Sequence, residues 1–192
     1  MELEIEILEN SEHIRSAFME KFLLTWPEFQ VTHKDFIASL AENYHKTVDL
    51  KFYDRSLMWD RMRPEYPSVS FRAALDLLKS IDGDVLFMSE GALYPHARDL
   101  YYNGKEYKHF IAKTNTAALA DLIEFEWFDE ARLSMQDMYR NDYILPVDLY
   151  VFTPTMDKMI VFTHETTDWE SELDDPMKAA ESRVCIAYGF EQ

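Results

Sequence analysis

DLYVFTPTMDKMIVFTH, residues Asp148–His164, holds two runs rich in β-branched and aromatic side chains, Leu149–Phe152 and Met159–Val161. Pro154, Thr155 and Asp157 lie between them and suit a turn. Two such runs around a short polar loop make an antiparallel hairpin. Side chains alternate along a strand, so Leu149 and Val151 face one way and Tyr150 and Phe152 the other. Both sets are apolar, which asks for a strand covered on both faces. A third run, RVCIAY at Arg183–Tyr188, supplies the partner that a lone hairpin needs to be stable.

Outward from this centre, the chain reads as a mixture of helices and strands without regular alternation. Glu2–Leu8 alternates acidic and apolar residues and reads as a half-buried edge strand. Asn10 or Ser11 can cap a helix carrying Ile14, Phe18 and Phe22 at helical spacing, with Trp26-Pro27 as its end. Thr32-x-x-Asp35 resembles a capping box for a second helix striped by Phe36, Ile37, Leu40 and Tyr44. Ser70 or Ser68 caps a third, Phe71–Ser80, and Asp82-Gly83 turns the chain into a strand at Val85–Met88. Asn103-Gly104, between Leu100–Tyr102 and Tyr107–Ala112, is the strongest short-range hairpin signal. A long helical stretch starts near Thr116, bends near Phe128 and continues over Ala131–Tyr139 until Pro146. The fold class expected is α+β: a mainly antiparallel central sheet with the three C-terminal strands at its heart, packed against several helices, in one domain over residues 1–192.

Composition narrows the function classes. Apolar residues make up 47% of the 192, enough for a packed core and against wholesale disorder. Only 4 glycines occur, and neither a GxGxxG nor a GxxxxGK[ST] pattern is present. Nineteen Lys and Arg against 36 Asp and Glu give a net charge of −17, which repels phosphate backbones and disfavours nucleic acid as a partner. The same charge suits a basic protein partner. A single cysteine, Cys185, precludes an internal disulfide and points to a reducing compartment. MELEIEILEN has neither the basic start nor the apolar run of a signal peptide, and no apolar stretch is long enough to span a membrane. The expectation is a cytoplasmic protein with no cofactor and no membrane association.

Three places could carry chemistry. His164-Glu165, with Asp168 and Glu170 close by, holds ligand types suited to zinc or iron, or to acid–base work, at a strand end. The spacing matches neither HExxH nor HxH, and a histidine ending a core strand with a local hydrogen bond is the plainer reading. Lys51–Arg72 is a basic island: Lys51, Arg55, Arg61, Arg63 and Arg72 against Asp54, Asp60 and Glu65. Arg61 and Arg63, interleaved with Trp59 and other aromatics, could form an anion or partner pocket, or simply pair with the surplus carboxylates. Glu165, Asp168, Glu170, Glu172, Asp174 and Asp175 surround Trp169, a composition fit for docking a basic protein and equally for a solvated loop. Cys185 lies inside the last strand beside Val184 and Ile186, where a buried, inert thiol is the ordinary outcome.

Leu149-Tyr150-Val151-Phe152, Val161-Phe162-Thr163-His164-Glu165 and Glu181-Ser182-Arg183 resemble the C-terminal portion of small, acidic, uncharacterised bacterial proteins. Some of these accompany polymorphic toxins as immunity proteins. The resemblance covers the last quarter of the chain and implies protein–protein interaction rather than a reaction. The leading expectation is therefore a non-enzymatic cytosolic binding protein of immunity or inhibitor type for a basic partner, docking through Glu165, Asp168, Trp169 and Glu170 or through Trp59, Arg61 and Arg63. The alternative is a small metal-dependent hydrolase using His164, Glu165 and Asp168.

Overall fold

A computed structural model describes residues 4–90, 100–128, 143–167, 178 and 181–191. The chain divides into two compact units, one formed by Met1–Ser11 with Tyr66–Gln192 and the other by Glu12–Glu65.

The first unit is built on a seven-stranded sheet. Its strands are β1 (Glu6–Ile7), β2 (Ser68–Ser70), β3 (Asp84–Ser89), β6 (Ile111–Asn115), β7 (Leu149–Phe152), β8 (Met159–Thr166) and β9 (Arg183–Tyr188). They lie in the order β1-β6-β3-β7-β8-β9-β2, and every neighbouring pair is antiparallel. The Asp148–His164 hairpin sits at its middle: Leu149 opposes Phe162 and Val151 opposes Ile160. β7 is the fourth strand of seven, and all four of its residues are buried, as its two apolar faces require. In the hairpin loop, the Thr153 and Thr155 hydroxyls both donate to Asp157 Oδ1 at 2.5 Å. They hold that carboxyl at about 2.

Helices α5 (Phe71–Lys79) and α6 (Thr116–Trp127) cover one sheet face. α5 buries Phe71, Ala74, Leu75 and Leu78, spaced i, i+3, i+4 and i+7. Ser70 caps it by accepting from Ala73 N–H at 3.2 Å. α6 starts at Asn115, whose Oδ1 accepts from Ala117 and Ala118, and buries Leu119, Ala120, Ile123 and Trp127. Phe71 and Trp127 stack nearly parallel at 5.4 Å, and Phe162 meets both edge-on at 5.8 and 5.9 Å. This aromatic trio joins the two helices to β8 at the centre of a core that also contains Phe87, Val151, Ile160 and Cys185.

Several local expectations are corrected. The edge strand is two residues long, Glu6–Ile7. Asn103-Gly104 does make a tight turn, with φ of 51° and 75°, but it joins β4 (Leu100–Tyr102) to β5 (Lys105–Tyr107) in a separate two-stranded sheet. The expected single strand Tyr107–Ala112 is split, because Ile111–Asn115 leaves to pair with β3 and β1. β2 carries no strand signal of its own and exists because β9 offers it a ladder. The expected helical piece over Ala131–Tyr139 lies outside the described residues.

The second unit holds α1 (Glu12–Phe22), α2 (Trp26–Thr32), α3 (Lys34–Tyr44), α4 (Leu50–Arg55) and a 3₁₀ turn, Trp59–Arg61. Trp26-Pro27 opens α2 rather than ending α1, since proline is at home in a first helical turn. The true capping box is Thr25-x-x-Glu28: Glu28 accepts from Thr25 N–H at 2.7 Å. Thr32-x-x-Asp35 is not one; α3 is preceded by His33, which makes no side-chain cap. α3 buries no residue, leaving Phe36 49% and Tyr44 66% exposed.

Candidate functional site

β8 and β9 pair regularly from Met159 to Phe162, then slip before Thr166. The slip falls on Thr163–Glu165 and frees two backbone positions from the ladder. Thr163 stabilises it, donating from Oγ1 to the Val184 carbonyl at 2.7 Å and accepting from Glu165 N–H at 3.2 Å. Asp148, just before β7, completes the arrangement. One of its oxygens accepts His164 N–H at 2.8 Å, and the two stand 2.9 and 3.0 Å from His164 Nδ1.

The Asp148 side chain is only 10% exposed and that of His164 35%. The hydrogen bond from Asp148 raises the His164 pKa, burial works against it, and the charges of Asp148 and Glu165 add to the rise while Arg183 opposes it. His164 Nε2 stands 3.7 Å from Glu165 Oε1. Chemically this is a carboxylate-oriented imidazole whose second nitrogen lies 3.7 Å from another carboxylate, so that a proton on the ring is held chiefly through Asp148. Arg183, whose charge acts on His164, is buried with its guanidinium 4.2 Å from the Trp127 ring; elsewhere in the unit Glu126 accepts the Ile144 and Leu145 N–H groups at 2.6 and 3.0 Å.

The structure thus brings His164 and Glu165 together and adds Asp148, which sequence reasoning left out. The signal was present: once Leu149 opposes Phe162, the residue before Leu149 lies across from the end of β8. Asp168, Trp169 and Glu170 lie outside the described residues. Among the described residues, no three His, Cys, Asp or Glu side chains are grouped to hold a metal ion. Cys185 is fully enclosed, and burial pushes its thiol up to about 12.

The basic island divides. Arg63 pairs with Glu28 at 3.3 Å, and Arg72 pairs with Glu124 at 2.6 Å while lying over Phe128. Arg61, 5% exposed, is placed over Tyr53 at 4.9 Å, and Trp59 is half-buried on the same 3₁₀ turn. Tyr53 belongs to an aromatic group with Trp26 and Phe29, its hydroxyl donating to the Leu24 carbonyl at 2.5 Å.

Charge is divided far more unequally than residues are. Glu12–Glu65 holds nine Asp and Glu against eight Lys and Arg, a net −1. The first unit holds the other 27 against 11, a net −16. An open groove of about 340 Å³ on that unit is lined by Glu4, Glu6, Asp84, Lys113, Thr114, Asn115 and Ala118. Lys113 lies 3.4 Å from both Glu6 and Asp84. Among the described residues, no helix is long and apolar enough to cross a membrane. No family model, curated protein or solved structure matches this chain.

Proposed function

We propose that the protein is a non-enzymatic, cytoplasmic binding protein of immunity or inhibitor type that engages a basic protein partner through its first unit. The observation that carries this is the charge partition, −16 against −1, which gives one unit a field able to steer and hold a cation-rich surface. The acidic run from Glu165 to Asp175 falls within the sequence range of that unit. The test is a pull-down at low salt followed by affinity measurement on the captured protein. A basic partner is expected, with affinity falling at least about tenfold between about 50 and 300 mM salt. Replacing Asp168, Glu170 and Glu172 by Lys is expected to weaken it further. Binding indifferent to both salt and these changes contradicts the proposal.

A second reading, metal-dependent hydrolysis through His164, Glu165 and Asp168, draws support from the way Asp148 orients His164 and leaves Nε2 beside Glu165. Elemental analysis of the purified protein separates the two. Stoichiometric zinc, iron or manganese that is lost in His164→Ala favours the hydrolase, and its absence counts against it.

A further inference from the structure

Arg61 is the one place where the second unit departs from the ordinary rules of charge burial. Its residue is 5% exposed, yet among the described residues it has no carboxylate partner, and its Nε is enclosed with no hydrogen-bond partner. The contact its guanidinium does make is with the Tyr53 ring, at 4.9 Å. A ring face attracts a cation, but it offers no acceptor to the N–H groups and does not replace the water that burial removes. Buried arginines are ordinarily paired, because an uncompensated charge away from water is costly. Among the described residues this one is left without a counter-ion, although the chain is rich in carboxylates.

The scaffold around it is firm. Leu24 N–H donates to the Arg61 carbonyl at 2.7 Å, Leu23 bridges Met62, and Arg63 N–H reaches the Phe22 carbonyl at 3.4 Å. Arg61 is thus held on a segment tied to residues 22–24, above a ring group packed within itself: Tyr53 against Phe29 at 5.4 Å and Phe29 against His33 at 4.5 Å. His33 borders the same rings and also has an enclosed nitrogen, Nε2, without a partner; burial lowers its pKa. Arg63 and Trp59, two residues to either side of Arg61, are part-exposed, so the turn carrying it reaches the surface.

From this juxtaposition we infer that Arg61 is the centre of an oxyanion-binding site in the second unit, taking a carboxylate or phosphate group on its guanidinium. The planar fork of arginine matches both groups, and an anion would supply the missing acceptors and the missing charge together. The near-neutral second unit admits an anion that the first unit would repel. This site is independent of the acidic surface proposed for a basic partner, and neither depends on the other being right.

The test is a titration of the full chain at low ionic strength with inorganic phosphate and, separately, acetate, following the Arg61 Nε–H resonance and the heat of binding. Saturable one-to-one uptake below about 10 mM, moving the Arg61 signal, is expected for at least one anion. Phosphate alone identifies a phosphate-type ligand, and acetate alone a carboxylate. Arg61→Gln is expected to weaken uptake at least about tenfold, while Arg55→Gln, a change at an exposed arginine, leaves it unaltered. Should Arg61→Gln fail to fold, the wild-type resonance still decides. No saturable uptake of either anion, or uptake that moves other arginines and leaves Arg61 still, overturns the assignment.

Discussion

Single side chains set the chemistry of the unit built on the large sheet. Phe162 has no exposed surface and touches both Phe71 and Trp127, so Phe162→Ala is expected to cost about 3–5 kcal/mol, measured by urea unfolding. His164 gives a pH signature whose sign follows from its raised pKa. A histidine that holds its proton more tightly when folded contributes stability that is complete below its unfolded pKa and is lost as pH rises through the folded one. His164→Ala is therefore expected to destabilise the protein more at pH 5.5 than at pH 9, and the reverse order contradicts the pairing with Asp148. The enclosed Cys185 thiol is expected to resist a thiol-specific reagent at pH 8 until the protein is unfolded. His164 and Glu165 were legible as neighbours in sequence. Asp148 was not named because the contact spans 16 positions and exists only once the hairpin register is known.

Elements were legible in proportion to how much of their stability is written locally. β7, β8 and β9 declare themselves through β-branched and aromatic runs, and α5 through its apolar spacing and Ser70 cap. β2 was invisible, because Ser68-Val69-Ser70 owes its form to the backbone of β9. Trp26-Pro27 is ambiguous in sequence, because the same residue that breaks a helix interior favours a helix start, and here it starts α2. Asn115 caps α6 and its replacement by Ala is expected to cost about 1 kcal/mol, by Gly only a few tenths. Periodicity made α3 amphipathic, yet it buries nothing, so Phe36→Ser is expected to shift stability by less than about 0.5 kcal/mol. Gly189 is different: its φ is +83°, and a Cβ would lie 1.9 Å from the Asp157 carbonyl oxygen. Gly189→Ala is expected to cost clearly more than Gly104→Ala, where φ is +75° but no atom lies within 4 Å.

At the scale of the whole chain, an antiparallel α+β architecture follows from the sequence, whereas the division into two units does not announce itself by any linker. That division matters for function because it separates the charge. A basic surface approaching the chain meets −16 on one unit and −1 on the other, and the near-neutral second unit holds Arg61, which among the described residues has no carboxylate partner. The most direct measurement compares the affinity of the captured basic partner for two charge-reversed proteins. One carries lysines at the exposed Glu106, Asp121 and Glu191 of the first unit; the other carries them at the exposed Glu20, Glu42 and Asp54 of the second. The account predicts a loss of at least about tenfold for the first set and less than about threefold for the second. Equal losses, or a larger loss from the second set, would contradict it.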